Sequence, residues 1–255
     1  MKSFLVELVS NASIDIYPDN TLSAFTNFLP EQINLEGDWE VAVMEIGYPA
    51  LFHNITEGKF RYKSENENTV QEFQLPKGHY QSLDLVRREI IHQIGSLKTT
   101  LTMNLDHLTG KIKLNFPENS RFNVASNDLA NILGFPAPFF IFSTGKPQEA
   151  PLPADIQRIH SVMIYSDIVE HGVIGNVKAP ILRCFPMITK LESGIMVHDK
   201  TMNYQTFEKL QFRKLLRNEF HSIRTELRDA TGEKIPFMGV GLTRLTLKFR
   251  QVSED

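Results

Sequence analysis

The dominant rhythm along this chain is a period of two. From Trp39 to Pro49 the sequence WEVAVMEIGYP sets Trp39, Val41 and Val43 on one face of a strand. Ala42, Met44, Ile46 and Tyr48 fall on the other. Both sets are apolar, so this strand is expected deep in a sheet and covered on both sides. Gly37-Asp38 marks a turn before it, and Pro49, which has no N–H to give, ends it. Its β-branched and aromatic content argues against a helix.

Shorter alternations flank this strand. Phe4 to Val9 places Phe4, Val6 and Leu8 on one face, and Leu22 to Phe28 places Leu22, Ala24, Thr26 and Phe28 on one face. Between them, NASIDIYPDN (Asn11 to Asn20) is rich in turn formers. Phe60 to Lys63 and Val70 to Leu75 read as short strands joined by the polar SENENT. Ile159 to Tyr165 and Ala179 to Phe185 supply two more. Near the end, Ile223, Thr225 and Leu227 alternate with Arg224, Glu226 and Arg228. After the turn DATGEK and Ile235-Pro236-Phe237, Leu245, Leu247 and Phe249 alternate with Arg244, Thr246, Lys248 and Arg250. Two such amphipathic strands, each with one charged face, close a sandwich.

The period changes once, at Tyr80. Ser82 is placed as an N-cap with Asp84 in the first turn, and Leu83, Val86, Ile90 and Ile94 recur every three or four residues up to Gly95. Leu101, Met103 and Leu105, then Ile112, Leu114 and Phe116, form a hairpin about DHLTGK. Phe122 and Val124 begin a third strand, and Ser126 caps the short helix NDLANIL, stopped by Gly134 and Pro136. Residues Lys77 to Phe135 thus read as an α+β unit inserted into, or layered on, a β-sandwich. GKPQEAPLP (Gly145 to Pro153) reads as an exposed linker. TFEKLQFRKLLRN, within Thr201 to Asn218, is compatible with a helix. The expected division is residues 1–76 and 146–255 for the sandwich and 77–145 for the insertion. No repeat recurs at a fixed period.

Composition fits a folded domain: of 255 residues, 42% are hydrophobic and 22% charged, and the 18 Phe against one Trp are expected in the core. A net charge of −3 and the lack of a basic tail argue against nucleic-acid contact and against attraction to an anionic membrane. The single cysteine, Cys184, excludes an intrachain disulfide and is expected as a small buried hydrophobe in a reducing compartment, cytoplasm or nucleus. MKSFLVELVSNAS is broken by Glu7 and reads as a strand rather than a signal peptide. No apolar run approaches the roughly 20 residues that cross a bilayer. A soluble, intracellular protein is expected.

Candidate chemistry is sparse. His53, His79, His92, His107, His160, His171, His198 and His221 are scattered, no two within four residues, which excludes HExxH and HxH metal motifs. There is no GxSxG elbow. Gly239-Val240-Gly241 lacks the GK[ST] of a phosphate loop and reads as a loop needing permissive dihedrals. Asp15 with Asp19, and Glu65 with Glu67, read as solvated loop carboxylates rather than paired glycosidase acids. Arg213, Lys214 and Arg217 with Phe212 and Phe220 form the one basic-aromatic cluster, read as a subunit interface or plain surface ahead of nucleic-acid contact. No catalytic, cofactor-binding or metal-ligating residue is assigned, and an enzyme is not expected.

Five blocks together resemble a family. NASIDIYPDNTLSAFTNFLP, then INLEGDWEVAVMEIGYP, are similar to the opening of the minor capsid, or penton, proteins of Maverick/Polinton elements, with relatives in adintoviruses and, more remotely, virophages. LANILGF at Leu129 to Phe135, SVMIYSDIVEHGVIGNVKAPILRCFP at Ser161 to Pro186 and FHSIRTELRDATGEKIPFMGVGLTRLTLKFR from Phe220 agree, in the expected order. Thr201 to Asn218 departs from the family, which carries more Pro and Tyr there. The resemblance implies a single jelly roll that forms homopentamers at the fivefold vertices of a capsid, beside a double jelly-roll major capsid protein. It implies a virion component made in host cytoplasm or nucleus, without cofactor, membrane insertion or catalytic residues. The competing reading is a β-sandwich that binds carbohydrate or a receptor.

Overall fold

The computed structural model describes residues 2–65, 68–95, 101–135, 139–142, 146–187, 202–239 and 241–252. In chain order the first strands are β1 Ser3–Val9, β2 Ala24–Asn34, β3 Trp39–Pro49, β4 Gly58–Lys63 and β5 Gln71–Leu75. Helix α1 Leu83–Ile94 leads to β6 Thr102–Leu105, β7 Ile112–Asn115 and β8 Arg121–Val124. Helix α2 Asn127–Leu133 precedes β9 Phe139–Phe142 and β10 Gln148–Glu149. Then follow β11 Ser161–Ser166, β12 Gly172–Ile174, β13 Val177–Ala179 and β14 Ile181–Pro186. The last are β15 Met202–Thr206, β16 Arg213–Lys214, β17 Glu219–Arg228 and β18 Arg244–Gln251.

The chain divides into two units, residues 1–52 with 159–255, and residues 53–158. The first unit holds two antiparallel sheets, ordered β1-β18-β3-β15 (with β16 also on β3) and β14-β11-β17-β2. Count β1, β2, β3, β11, β14, β15, β17 and β18 as first to eighth. The sheets then run first–eighth–third–sixth and second–seventh–fourth–fifth, the double Greek-key order of a jelly roll. Their inner faces share one core that includes Leu8, Phe25, Trp39, Ile164, Leu182, Ile223, Leu227, Leu247 and Phe249. Phe249 stacks on Phe4 at 4.8 Å and on Phe220 at 6.0 Å between ring centroids.

Strand β3 corrects the two-faced reading of its sequence. Thr246 pairs with Glu45 and Leu247 with Val43, so Met44 is an extra residue, a bulge on β3. The bulge moves the inward set from odd to even: Trp39, Val41 and Val43 enter the core before it, Ile46 and Tyr48 after it. Glu40, Ala42, Glu45 and Gly47 occupy the other face, with Glu45 exposed. The strand is therefore one-sided, and its apolar run comes from the change of parity rather than from two buried faces. In β2 the inward residues are Phe25, Asn27 and Leu29, while Phe28 faces solvent at 44% exposure.

Residues 53–158 build a second core around Phe60, Tyr62, Val86, Ile90, Leu114, Phe122 and Leu133. It is formed by the sheets β5-β4-β8-β9 and β10-β7-β6 and both helices. The unit is wider than residues 77–145 because β4 pairs with β8 and β5 pairs with β4, not with sandwich strands. Nor does its Pro-rich end behave as a linker: β10 pairs with β7, Ala150 is 1% exposed, and Ala150 N–H donates to Ile112 O at 2.8 Å. Ser82 caps α1 through Leu85 N, as its position predicts. At α2 the Ser126 hydroxyl instead donates to Lys59 O at 3.4 Å. Gly134 ends α2 at φ 75°, and a Cβ there would lie 2.2 Å from Leu152 O. Only glycine admits that approach.

Two buried side chains tie the ends of this unit together. Asn54 donates from Nδ2 to Tyr80 O (2.8 Å) and Ile156 O (2.9 Å), and accepts from Tyr80 N. Asp128, on α2, accepts from Thr56 N at 2.8 Å and Glu57 N at 3.2 Å, and pairs with Arg158 at 2.7 Å. Entry, helix and exit thus meet on one carboxylate. Asp128→Asn is expected to cost residues 53–158 about 2–4 kcal/mol, because it removes one partner of a mostly buried ion pair. Native-state amide exchange should accelerate in β4, β8 and α2 while the sandwich strands keep their protection. Equal acceleration in both units would show that the cores are not separately stabilised.

Candidate assembly surfaces

The charged side chains of the sandwich collect on the outward faces of its two sheets. In β17, Ile223 and Leu227 enter the core, so Arg224, Glu226 and Arg228 follow one another outside. Glu226 is nevertheless only 8% exposed. Its Oε1 accepts from Arg224 Nη2 at 2.6 Å and its Oε2 from Arg228 Nε at 2.8 Å, with Lys234 Nζ 4.0 Å away. Arg228 also donates to Gly232 O at 2.7 Å, and its guanidinium lies 5.2 Å from the Tyr165 ring centroid. Burial raises the Glu226 carboxyl's pKa, but the hydrogen bonds and charges of Arg228 and Arg224 together outweigh it and hold the pKa below the ordinary glutamate value.

The outward face of the other sheet is a mixed-charge surface. Arg244 pairs with Glu7 and Arg250 with Glu40, each at 2.7 Å, and the Arg250 guanidinium sits 3.6 Å from the Phe212 ring centroid. Tyr204, 74% exposed, lies over Gly47, where a Cβ would come within 2.8 Å of its ring. Glu7, Glu45, Gly47, Tyr204 and Arg244 line a depression of about 110 Å³ there.

One polar side chain bridges at each side of the sandwich. On one, Asn27 of β2 accepts from Val9 N (3.1 Å) and donates to Val9 O (3.0 Å), binding the end of β1 as a neighbouring strand would. On the other, Arg183 of β14 lies 3.6 Å over the Phe207 ring and donates to Lys209 O at 3.1 Å. Periodicity marks neither residue, because each reaches groups outside its own sheet.

The side chains that the sequence singled out do not converge. His92, His107, His160, His171 and His221 are exposed, and His221 meets Phe28 edge-on at 5.5 Å. His53, partly buried, is held below the ordinary histidine pKa by burial first and then by Lys77 and His79. His198, Glu67 and Val240 lie outside the described residues. Asp15, Asp19 and Glu65 are exposed loop carboxylates. Among the described residues, no three His, Cys, Asp or Glu side chains approach as metal ligands. Gly241, at φ 105°, does need its left-handed conformation, and a Cβ there would strike Met202 Sδ at 2.3 Å.

Cys184 is exposed rather than buried, because it pairs with Met163 on the outward side of β14 while Phe185 takes the core position. The 207–218 stretch is not helical. β16 pairs with β3, Leu215 N donates to Trp39 O at 3.2 Å, and Leu216 N donates to Ile168 O at 2.8 Å. Its basic-aromatic cluster disperses: Phe220 is core, Phe212 sits under Arg250, and Arg217 pairs with Asp167 at 3.1 Å.

No protein-family model and no curated protein matches the sequence. Among solved structures, the chain is similar to the mavirus penton protein, at 10% identity and TM-score 0.46 over 98% of this chain and 100% of that one. It is also similar to a chain in the cryo-EM structure of the Sputnik virophage, at 9% identity and TM-score 0.49 over 98% of each. At those identities and scores, neither likeness carries a functional argument.

Glu226→Gln is expected to destabilise the protein by about 1–2 kcal/mol at neutral pH, the exposed guanidiniums screening the loss. A depressed carboxylate pKa adds stability above the unfolded-state value and loses it as pH falls through the folded-state value. The wild-type advantage in urea midpoint should therefore shrink as pH drops below about 4. A difference that stays constant down to pH 2 would refute the ion-pair account.

Proposed function

We propose that this chain is a penton, or minor capsid, subunit of a Polinton- or adintovirus-like element. It self-associates into homopentamers at the fivefold vertices of an icosahedral capsid, beside a double jelly-roll major capsid protein. On this reading it is made in the host cytoplasm or nucleus, resides in the virion and performs no catalysis. The observation that carries the reading is how the family-like blocks fall on the fold. They coincide with β2, β3, β11, β14, β17 and β18, six of the eight sandwich strands, and with α2 and its Gly134 cap. The resemblance therefore covers most of the elements that define the jelly-roll order, together with the loops that join them. A head-to-tail ring also needs two unlike surfaces on each subunit, and the two outward faces differ in kind: one is a cation cluster around a sunken carboxylate, the other a mixed face with an exposed tyrosine.

Light scattering behind a sizing column, over a range of concentrations, should give a species near five times the 29.2 kDa chain mass. A protein that stays monomeric alone and on co-expression with a double jelly-roll major capsid protein would overturn the proposal. Retention of a glycan by that monomer would then favour a binding module.

A further inference from the structure

Among the described residues, the β1-β18-β3-β15 sheet ends on two edges with no neighbouring strand, β1 and β15, and the hydrogen-bond parity of each can be read from the bonds that flank its ladder. Gln251 N donates to Lys2 O and Ser10 N to Thr243 O, both at 2.9 Å. In an antiparallel ladder, alternate residues spend both backbone groups on the partner. Phe4, Val6 and Leu8 therefore face β18, while Ser3, Leu5, Glu7 and Val9 turn their N–H and C=O outward. Val9 is the residue that Asn27 occupies. Ser3, Leu5 and Glu7 have no backbone partner on that side among the described residues. At the opposite edge, Phe207 N donates to Met44 O at 2.9 Å, so Asn203 and Gln205 face β3. Met202, Tyr204 and Thr206 turn outward.

The edge of β2 is treated differently. Asn20 accepts from Thr26 N at 2.8 Å and donates to Thr26 O at 2.9 Å, and Ser13 Oγ accepts from Phe28 N at 3.0 Å. The turn between β1 and β2 thus blunts that edge with side chains, a common defence of exposed strands. β1 carries no proline or bulge, and beyond Val9 nothing described covers it.

We infer that β15 of one copy pairs antiparallel with β1 of the next, continuing the sheet across subunits. Strand directions alternate along β1-β18-β3-β15, so β15 runs antiparallel to β1 within the chain. A neighbouring copy in the same orientation therefore presents the direction the edge requires. Each edge offers three open residues at a spacing of two. Setting Leu5 opposite Tyr204 places Ser3 against Thr206 and Glu7 against Met202. Leu5 and Tyr204 are 55% and 74% exposed on the same sheet face, and this register covers each with the other. Main-chain hydrogen bonds supply the attraction, and the Leu5–Tyr204 pair fixes the register. The contact joins two different surfaces, as the ring in the proposed function requires, and the inference rests on that reading.

Leu5→Pro removes an N–H that points away from β18, a position where an edge strand tolerates proline. Leu5→Lys keeps the donor but places a charge in the seam. Both variants should sediment as monomers with the wild-type melting temperature, under conditions where wild type is multimeric. In a Cys184→Ser background, Leu5→Cys and Tyr204→Cys chains should form disulfide-linked dimers when mixed and not when kept apart. Directly paired strands bring Cα atoms about 5.5 Å apart, within disulfide reach. Multimers that survive Leu5→Pro would overturn the edge pairing and leave the penton reading standing. A wild type that is monomeric alone and beside a major capsid protein would remove both.

Discussion

The sandwich depends on a single strand meeting two demands at once. β3 pairs with β18 along one edge and with β15 and β16 along the other, and it must also deliver Trp39, Val41, Val43, Ile46 and Tyr48 to one core. A regular strand of this sequence cannot do so, because a period of two sends Ile46 and Tyr48 to the face opposite Val43. The bulge at Met44 resolves the conflict by adding one unpaired residue. It also lets a polar outer face exist where the sequence is apolar. Glu40 and Glu45 meet β18 and solvent there, and Gly47 makes room for Tyr204.

That device explains the main difference between the sequence pattern and the fold. Alternation shows where strands lie, and the boundaries of β3, α1 and β18 follow it closely. Alternation cannot reveal an extra residue that is itself apolar, since methionine fits either face. Nor does it say which sheet a strand joins. β4 and β5 look like sandwich strands in sequence and belong to the second unit because their partners do. The stretch after Phe207 has apolar residues at helical spacing by coincidence. Phe207 and Leu215 are both inward-facing, reached by a loop that pairs with β3 and with residues after β11. The prolines near 150 read as linker, yet a chain that adds only short pairing to an edge can hold them.

The candidate surfaces were half legible for the same reason. The Arg224, Glu226, Arg228 alternation is plain in sequence, but it does not show that Glu226 sinks between the two arginines, opposite Tyr165 on the neighbouring strand and 4.0 Å from Lys234 of the following turn. Asn27 and Arg183 carry no sequence signal at all. An asparagine in a strand interior looks like a weak strand residue. Here its amide replaces a missing neighbour for Val9, a role that exists only because the jelly-roll order leaves β1 without one.

The distribution of such replacements separates the edges by kind. A side-chain amide can satisfy both backbone groups of one residue, and the protein uses asparagine this way twice, at Val9 and at Thr26. The β14 side is instead bridged by Arg183, whose guanidinium reaches a backbone carbonyl of the loop between β15 and β16. The two asparagines make Val9 and Thr26 inert toward further strand pairing, because the backbone groups that would template a new strand are already engaged. At Ser3, Leu5 and Glu7, and at Met202, Tyr204 and Thr206, the described residues supply no such guard, although two residues beyond Glu7 the chain supplies a complete one at Val9. Open edges at both ends of a single sheet, matched in length and direction and each bearing one exposed large side chain, are a heterologous pair. Among the described residues, the guards at Val9 and along β2 set those two edges apart from the β2 edge of the other sheet.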